Sequence, residues 1–175
     1  GDIDPVYDYK EGVKVKWLGH DSYRFEFGDK ILYIDPYEVK VHDKADIILI
    51  THGHYDHCSI PDLKKLVKED TIIITTPDTT SKLSGKVIGG HMELAKPGAK
   101  FDVKGVKIKA VHAYNIDKPF HPKENEWVGY IFEINNIKFY HAGDTDFIPE
   151  MADVIADVAF LPVSGTYVMT ADEAV

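Results

Sequence analysis

Apolar and polar residues alternate at period two over Val13-Lys14-Val15-Lys16-Trp17-Leu18, which predicts a strand with one buried face. The alternation resumes from Tyr23 to Phe27. Gly28-Asp29 then marks a hairpin turn into Ile31-Leu32-Tyr33-Ile34, a strand that Asp35-Pro36 breaks. Residues 46–50 read as a buried strand, and residues 71–75, unbroken and β-branched, as one covered on both faces. Between those two, Ser59 predicts an N-cap and Pro61 the first turn of a short helix running through Leu63, Leu66 and Val67. A second helix is expected near 79–83, with turns at Gly89-Gly90 and Lys96-Pro97-Gly98. Gly105 separates strands at 101–103 and 106–111. Residues 127–134 and 137–140 form a hairpin over Asn135-Asn136, and 158–161 reads as the final strand. The polar, proline-bearing stretch 115–126 is long enough to be a functional loop rather than a connector.

Strand runs in both halves, with a few short helices, predict an α/β chain of the α+β kind: two sheets face to face with helices outside. With 175 residues, 44% of them apolar, the chain suits one domain over residues 1–175. Thr170-Ala171-Asp172-Glu173 matches a capping box, the start signal of a helix, and the sequence stops two residues later. One turn does not sustain a helix, so the expectation is a domain whose C-terminal part is incomplete.

The net charge of −9 argues against non-specific nucleic-acid binding, which needs basic side chains to neutralise phosphates. No stretch approaches the ~18 apolar residues of a membrane-spanning helix, so no membrane insertion is expected, and the N-terminus carries no secretory pattern. The single cysteine, Cys58, rules out an intrachain disulfide framework and suits the reducing cytoplasm. Nothing in the pattern specifies an oligomeric state.

The chemistry concentrates in Thr51-His52-Gly53-His54-Tyr55-Asp56-His57, which follows the apolar run Ile47-Ile48-Leu49-Ile50. Imidazole is the commonest metal ligand and a carboxylate adds a hard oxygen donor. A strand ending in a tight turn can aim all four side chains into one pocket, so His52, His54, Asp56 and His57 are read as ligands, with room for two metals. Two ions need further donors from distant strand ends. Asp144, in His141-Ala142-Gly143-Asp144-Thr145, is the candidate for a bridging carboxylate. Two residues compete to supply the remaining imidazole: His112, in register with Val106, Ile108 and Ala110, and His121, held between Pro119 and Pro122. Asp35 is expected to take the second N–H of a metal-bound histidine. His20 sits in a polar turn, Gly19-His20-Asp21-Ser22. Cys58, at a helix start, is expected to be buried rather than ligating.

The spacing His52-x-His54-x-Asp56-His57, with Asp35 before it and Asp144 after it, resembles the metallo-β-lactamase superfamily, whose fold is an αβ/βα four-layer sandwich. The phrases Trp17-Leu18-Gly19-His20, Ile34-Asp35-Pro36, Ala113-Tyr114-Asn115, Phe120-His121-Pro122-Lys123 and Tyr140-His141-Ala142-Gly143-Asp144-Thr145-Asp146 look like its small stand-alone hydrolase branch. That branch is related to ascorbate-phosphate lactonases and to N-acyl phosphatidylethanolamine phospholipase-D-like members. The resemblance implies that His52 and His54 bind a first metal, Asp56 and His57 a second, and that Asp144 bridges them. His112 by strand position, or His121 by its Phe-His-Pro-Lys phrase, would complete the first site. The family's last histidine ligand has no counterpart beyond His141.

The implied activity is that of a zinc-dependent, binuclear hydrolase. One or two Zn²⁺ ions, or Mn²⁺ or Fe²⁺, would activate hydroxide to cleave an ester, lactone or phosphoester bond of a small molecule, with Asp56 orienting the nucleophile. A non-catalytic metal-binding or regulatory protein on the same fold is the alternative.

Overall fold

The computed structural model describes residues 6–9, 12–40, 43–54, 57–87, 89–113, 127–143, 156–163 and 165–170. The chain divides into two units, Gly1–Leu94 and Ala95–Val175, each built on one sheet.

The first unit carries a seven-stranded sheet in sequence order: β1 (Val6–Tyr9), β2 (Val13–Gly19), β3 (Ser22–Phe27), β4 (Lys30–Ile34), β5 (Ile47–Leu49), β6 (Ile72–Thr75) and β7 (His91–Leu94). β1 to β4 form an antiparallel meander, and β4 to β7 pair in parallel. Parallel neighbours need crossovers. Helix α1 (Ile60–Leu66) supplies one, between β5 and β6, while a 3-10 turn at Pro77–Thr79 and helix α2 (Thr80–Leu83) lie between β6 and β7. The central strands are apolar throughout because both faces are covered: Ile47, Ile48 and Leu49 are fully buried. One face packs Tyr33, Ile48 and Ile73 against Leu63 and Leu66 of α1 and Leu83 of α2. Each such side chain contributes about 1.5–3 kcal/mol on burial.

Ser59 does occupy the N-cap position of α1, but its hydroxyl makes no bond to the helix backbone. It donates instead to Asp62 Oδ2 at 2.5 Å. The same carboxylate accepts the backbone N–H groups of Glu38 (3.0 Å) and Val39 (2.8 Å), so α1 tethers the loop that leaves β4.

The second unit holds a six-stranded sheet in the order β13-β12-β11-β10-β9-β8. Its strands are β8 (Lys100–Val103), β9 (Val106–His112), β10 (Val128–Ile134), β11 (Ile137–His141), β12 (Val158–Val163) and β13 (Gly165–Thr170). β8 to β11 are antiparallel, β12 pairs in parallel with β11, and β13 returns antiparallel. The β10–β11 turn has positive φ at both Asn135 (49°) and Asn136 (68°), the primed geometry that fits the twist of a two-residue hairpin. Phe132, Phe139 and Phe160 stack along one face, with ring centroids 5.4 and 6.3 Å apart.

Mixed sheets with few short helices make this an α+β fold, as the sequence predicts. Three strands are additional to those read from the sequence: β1, β7 and β13. Residues 158–161 are therefore not the last strand; β12 extends to Val163 and β13 follows it. The stretch 115–126 and the capping-box residues 171–175 lie outside the described residues. Among the described residues no helix is long and apolar enough to cross a membrane.

Candidate metal centre

Parallel strands end at the same edge of a sheet, and that topology gathers the candidate residues of the first unit. Asp35 follows β4, Thr51 and His52 follow β5, and Asp78 follows β6. The β2–β3 turn, Gly19 to Ser22, reaches the same edge, because Tyr23 pairs with Ile34 at the end of β4. Ligand sites of open sheets with parallel strands form at such carboxyl ends.

Asp35 is the hub. It is fully buried and holds a left-handed backbone, φ 44°, which an aspartate tolerates better than most residues. Its N–H continues the ladder to Leu49 O at 2.9 Å. Its carboxylate accepts three hydrogen bonds: Thr51 N–H at 2.8 Å on Oδ1, and Thr51 Oγ1–H and His57 Nδ1–H, both at 2.7 Å, on Oδ2. Since the Thr51 proton is committed to Asp35, Thr51 Oγ1 accepts from His52 Nδ1 at 2.9 Å. Both imidazoles therefore donate from Nδ1, which leaves Nε2 as the ring nitrogen outside the Asp35–Thr51 network.

The rings gather accordingly. His52 and His57 have centroids 4.0 Å apart, and His52 and His54 4.8 Å apart. His54 O accepts the N–H groups of His57 (2.9 Å) and Cys58 (2.7 Å), closing a turn after the cluster. The Gly53 peptide is gripped on both sides: Asp78 Oδ2 accepts its N–H at 3.2 Å, and Lys82 Nζ donates to its carbonyl at 2.7 Å. A β-carbon at Gly53 would sit 2.7 Å from Asp78 Oδ2, so only glycine leaves that carboxylate in place.

His57 has a second acidic neighbour. Asp21 Oδ2 lies 3.5 Å from its Nε2. Cys58, 1% exposed, is expelled from the chemistry: burial pushes its thiol up to about 12, Asp35 and Asp78 add to the rise and Lys82 opposes it.

In the second unit, His112 ends β9 half-buried, opposite Val128, on the alternation that buries Val106, Ile108 and Ala110. Ala113 N–H donates to Trp127 O at 3.1 Å, so the two flanks of the 114–126 segment meet. His141 is buried at the end of β11, and its Nδ1 accepts the Gly143 N–H at 3.1 Å.

Of the sequence-predicted ligands, His52, His54 and His57 come together. Asp56, His121 and Asp144 lie outside the described residues. Among the described residues, no group of three or more His, Cys, Asp or Glu is placed to hold a metal ion. By type, clustered imidazoles beside carboxylates suit a borderline divalent ion, and the Asp35–Thr51 network engages Nδ1 of two of the rings and leaves their Nε2 outside it. Sequence reasoning missed Asp21, Asp78 and Lys82. Asp78 and Lys82 act on a single peptide, and no local motif marks such a grip.

A family model described as a beta-lactamase superfamily domain matches residues 14–175. A UPF0173 metal-dependent hydrolase of Thermoplasma volcanium is 33% identical over 93% of this chain and 76% of its own length. Its counterpart in Thermoplasma acidophilum is 30% identical over 94% and 76%. Among solved structures, one from Parabacteroides distasonis ATCC 8503, described as a candidate metal-dependent hydrolase, aligns with a TM-score of 0.80 at 33% identity, covering 98% of this chain and 80% of that one. A metallo hydrolase from Ignicoccus hospitalis has a TM-score of 0.68 at 24% identity, over 93% and 75%, a likeness of fold.

Proposed function

The chain belongs to the beta-lactamase superfamily, within the UPF0173 metal-dependent hydrolases, and from that premise we propose that it is a binuclear, zinc-dependent hydrolase of a small molecule. The reading is carried by one observation: Asp35 and Thr51 fix the Nδ1–H tautomer of both His52 and His57, which leaves Nε2 of each ring as the ligating atom. In this reading His52, His54 and one of His112 and His121 hold the first ion, Asp56 and His57 hold the second, and Asp144 spans them. When bound, such an ion lowers the pKa of water to about 7 and polarises a carbonyl or phosphoryl oxygen. Zn²⁺ suits this donor set, and Mn²⁺ or Fe²⁺ uses the same ligands.

The protein's own part is positional. Asp35 keeps the protons of the ligating rings on Nδ1, and Asp78 and Lys82 hold the turn that carries His52 and His54. Asp56 orients the attacking water. The bond cleaved is an ester, a lactone or a phosphoester, and no nucleophilic serine or cysteine is required: Cys58 is a buried, protonated thiol. The single cysteine supports the cytoplasm as the protein's compartment.

Elemental analysis of protein purified from metal-replete medium, followed by assays on model esters, lactones and phosphodiesters with added Zn²⁺ or Mn²⁺, tests this reading. One to two equivalents of transition metal and turnover of one bond class, abolished by a chelator, are expected. Less than about half an equivalent of metal refutes the metal centre. Stoichiometric metal without turnover of any of these bonds refutes the hydrolase and leaves a metal-binding module.

A further inference from the structure

Asp21 stands on the ligating side of His57, and nothing in the His52–His57 motif accounts for it. His57 Nδ1 donates to the buried Asp35, which leaves Nε2 as the ring nitrogen that faces Asp21. A carboxylate oxygen set against that nitrogen is held there by a proton on Nε2 or by a metal ion between the two. Their separation, 3.5 Å, is longer than the usual hydrogen bond of 2.7–3.2 Å. It does match a shared ion: two donors each about 2.1 Å from one tetrahedral Zn²⁺ stand about 3.4 Å apart.

The backbone supports this placement. Gly19 (φ 96°) and His20 (φ 52°) both adopt left-handed geometry, so the β2–β3 turn bends sharply just before Asp21. Trp17 Nε1 donates to His20 O at 2.9 Å and fixes that bend. The His20 ring also meets Tyr37 edge-on at 4.9 Å, which ties the turn to the loop after Asp35. Asp21 remains 25% exposed, accessible to an ion entering from solvent, whereas His57 is 2% exposed.

We propose that Asp21 is an additional oxygen ligand of the ion bound at His57 Nε2, an inference that rests on the metal centre argued above. It gives the second ion a donor from the β2–β3 turn, outside the histidine motif. Asp21 thereby makes occupancy of that site depend on a residue that the His52-x-His54-x-Asp56-His57 pattern does not contain.

Titration of metal-free full chain with Co²⁺, read by its visible d–d bands, and with Zn²⁺, read by competition with a chromophoric chelator, tests this for the parent, Asp21→Asn and Asp21→Glu. Melting of each metal-free protein reports on folding. Asp21→Asn should lose roughly 10- to 100-fold in affinity for one equivalent, shift the Co²⁺ bands, and melt as the parent does, and Asp21→Glu should restore part of the affinity. If the parent binds and Asp21→Asn gives the same bands and affinities, this proposal fails while the metal centre stands. If the parent takes up neither ion, both fail. If metal-free Asp21→Asn melts well below the parent with unchanged affinity for the ions, Asp21 is a salt-bridge partner of a doubly protonated His57, and the proposal is overturned.

Discussion

Exchanging one oxygen of Asp35 for an amide nitrogen should disarm two imidazoles at once. In the parent, Asp35 Oδ2 accepts from Thr51 Oγ1 and from His57 Nδ1, and Thr51 Oγ1 in turn accepts from His52. In Asp35→Asn the retained oxygen can still accept the Thr51 N–H, while the new NH₂ group faces Thr51 Oγ1 and His57 Nδ1 as a donor. His57 must then accept at Nδ1 and carry its proton on Nε2. Thr51, now an acceptor from Asn, is released to donate to His52 Nδ1, which moves that ring's proton to Nε2 as well. The hydrogen-bond count is conserved with its polarity reversed, and asparagine tolerates the left-handed φ of 44°. The stability cost should therefore be only about 1–2 kcal/mol. Metal affinity should fall by roughly 100-fold, at the upper end of the 10- to 100-fold typical of such supporting contacts, because both ligating lone pairs are lost together. Asp35→Ala differs. It strips three buried donors of their acceptor, at about 1–3 kcal/mol each, and places alanine at a positive φ. A loss of roughly 3–9 kcal/mol from the three donors alone is a large part of the 5–15 kcal/mol of a typical domain. Imidazole ¹⁵N shifts of the metal-free proteins give the tautomers, and chemical denaturation gives the stabilities. Nδ1–H tautomers in Asp35→Asn, or parent affinity for Zn²⁺, would refute this reasoning.

Two further outcomes follow from other parts of the molecule. A β-carbon on Gly129 in β10 would lie 2.6 Å from His141 O and 3.0 Å from Ala142 C, both backbone atoms that cannot step aside. Gly129→Ala should therefore cost about 1–3 kcal/mol, seen as a melting point lower by roughly 3–10 °C; an unchanged melting curve contradicts the packing described for β10 and β11. The Cys58 thiol, held up to about 12 against its ordinary 9.0, should resist a disulfide reagent at pH 8.5 in the native protein and react promptly in denaturant. Because the folded value is the higher one, this group's stabilisation is complete below pH 9 and is lost as pH rises from 9 to 12. Its slope is at most about 1.4 kcal/mol per pH unit, and a native-state titration with its midpoint near 9 would rule the burial out.

The elements that sequence pattern reveals are those whose partners lie on the next strand or in the next turn. β2 and β3 show period two in their sequence, β4 stands out as an apolar run whose last three residues are all buried, and the Asn135-Asn136 turn is legible because asparagine accepts positive φ. β7 fails this test for a physical reason: His91-Met92-Glu93-Leu94 alternates over only four residues and all four are exposed, so the alternation marks no buried face and the strand character comes from pairing with β6. The same distinction divides the candidate site. Three histidines and an aspartate within six positions announce a metal, and Asp35-Pro36 at a strand end announces a buried carboxylate. What arms those imidazoles is contributed from afar: Asp35 to His57 spans 22 residues, Asp78 to Gly53 spans 25, and Lys82 to Gly53 spans 29. Those separations are set by the parallel pairing of β4, β5 and β6, which brings successive strand ends to one edge whatever the chain between them. A motif can thus name candidate ligands without naming the residues that orient them, since the spacing of the candidates is a property of one turn and the hydrogen bonds to their Nδ1 atoms a property of the sheet.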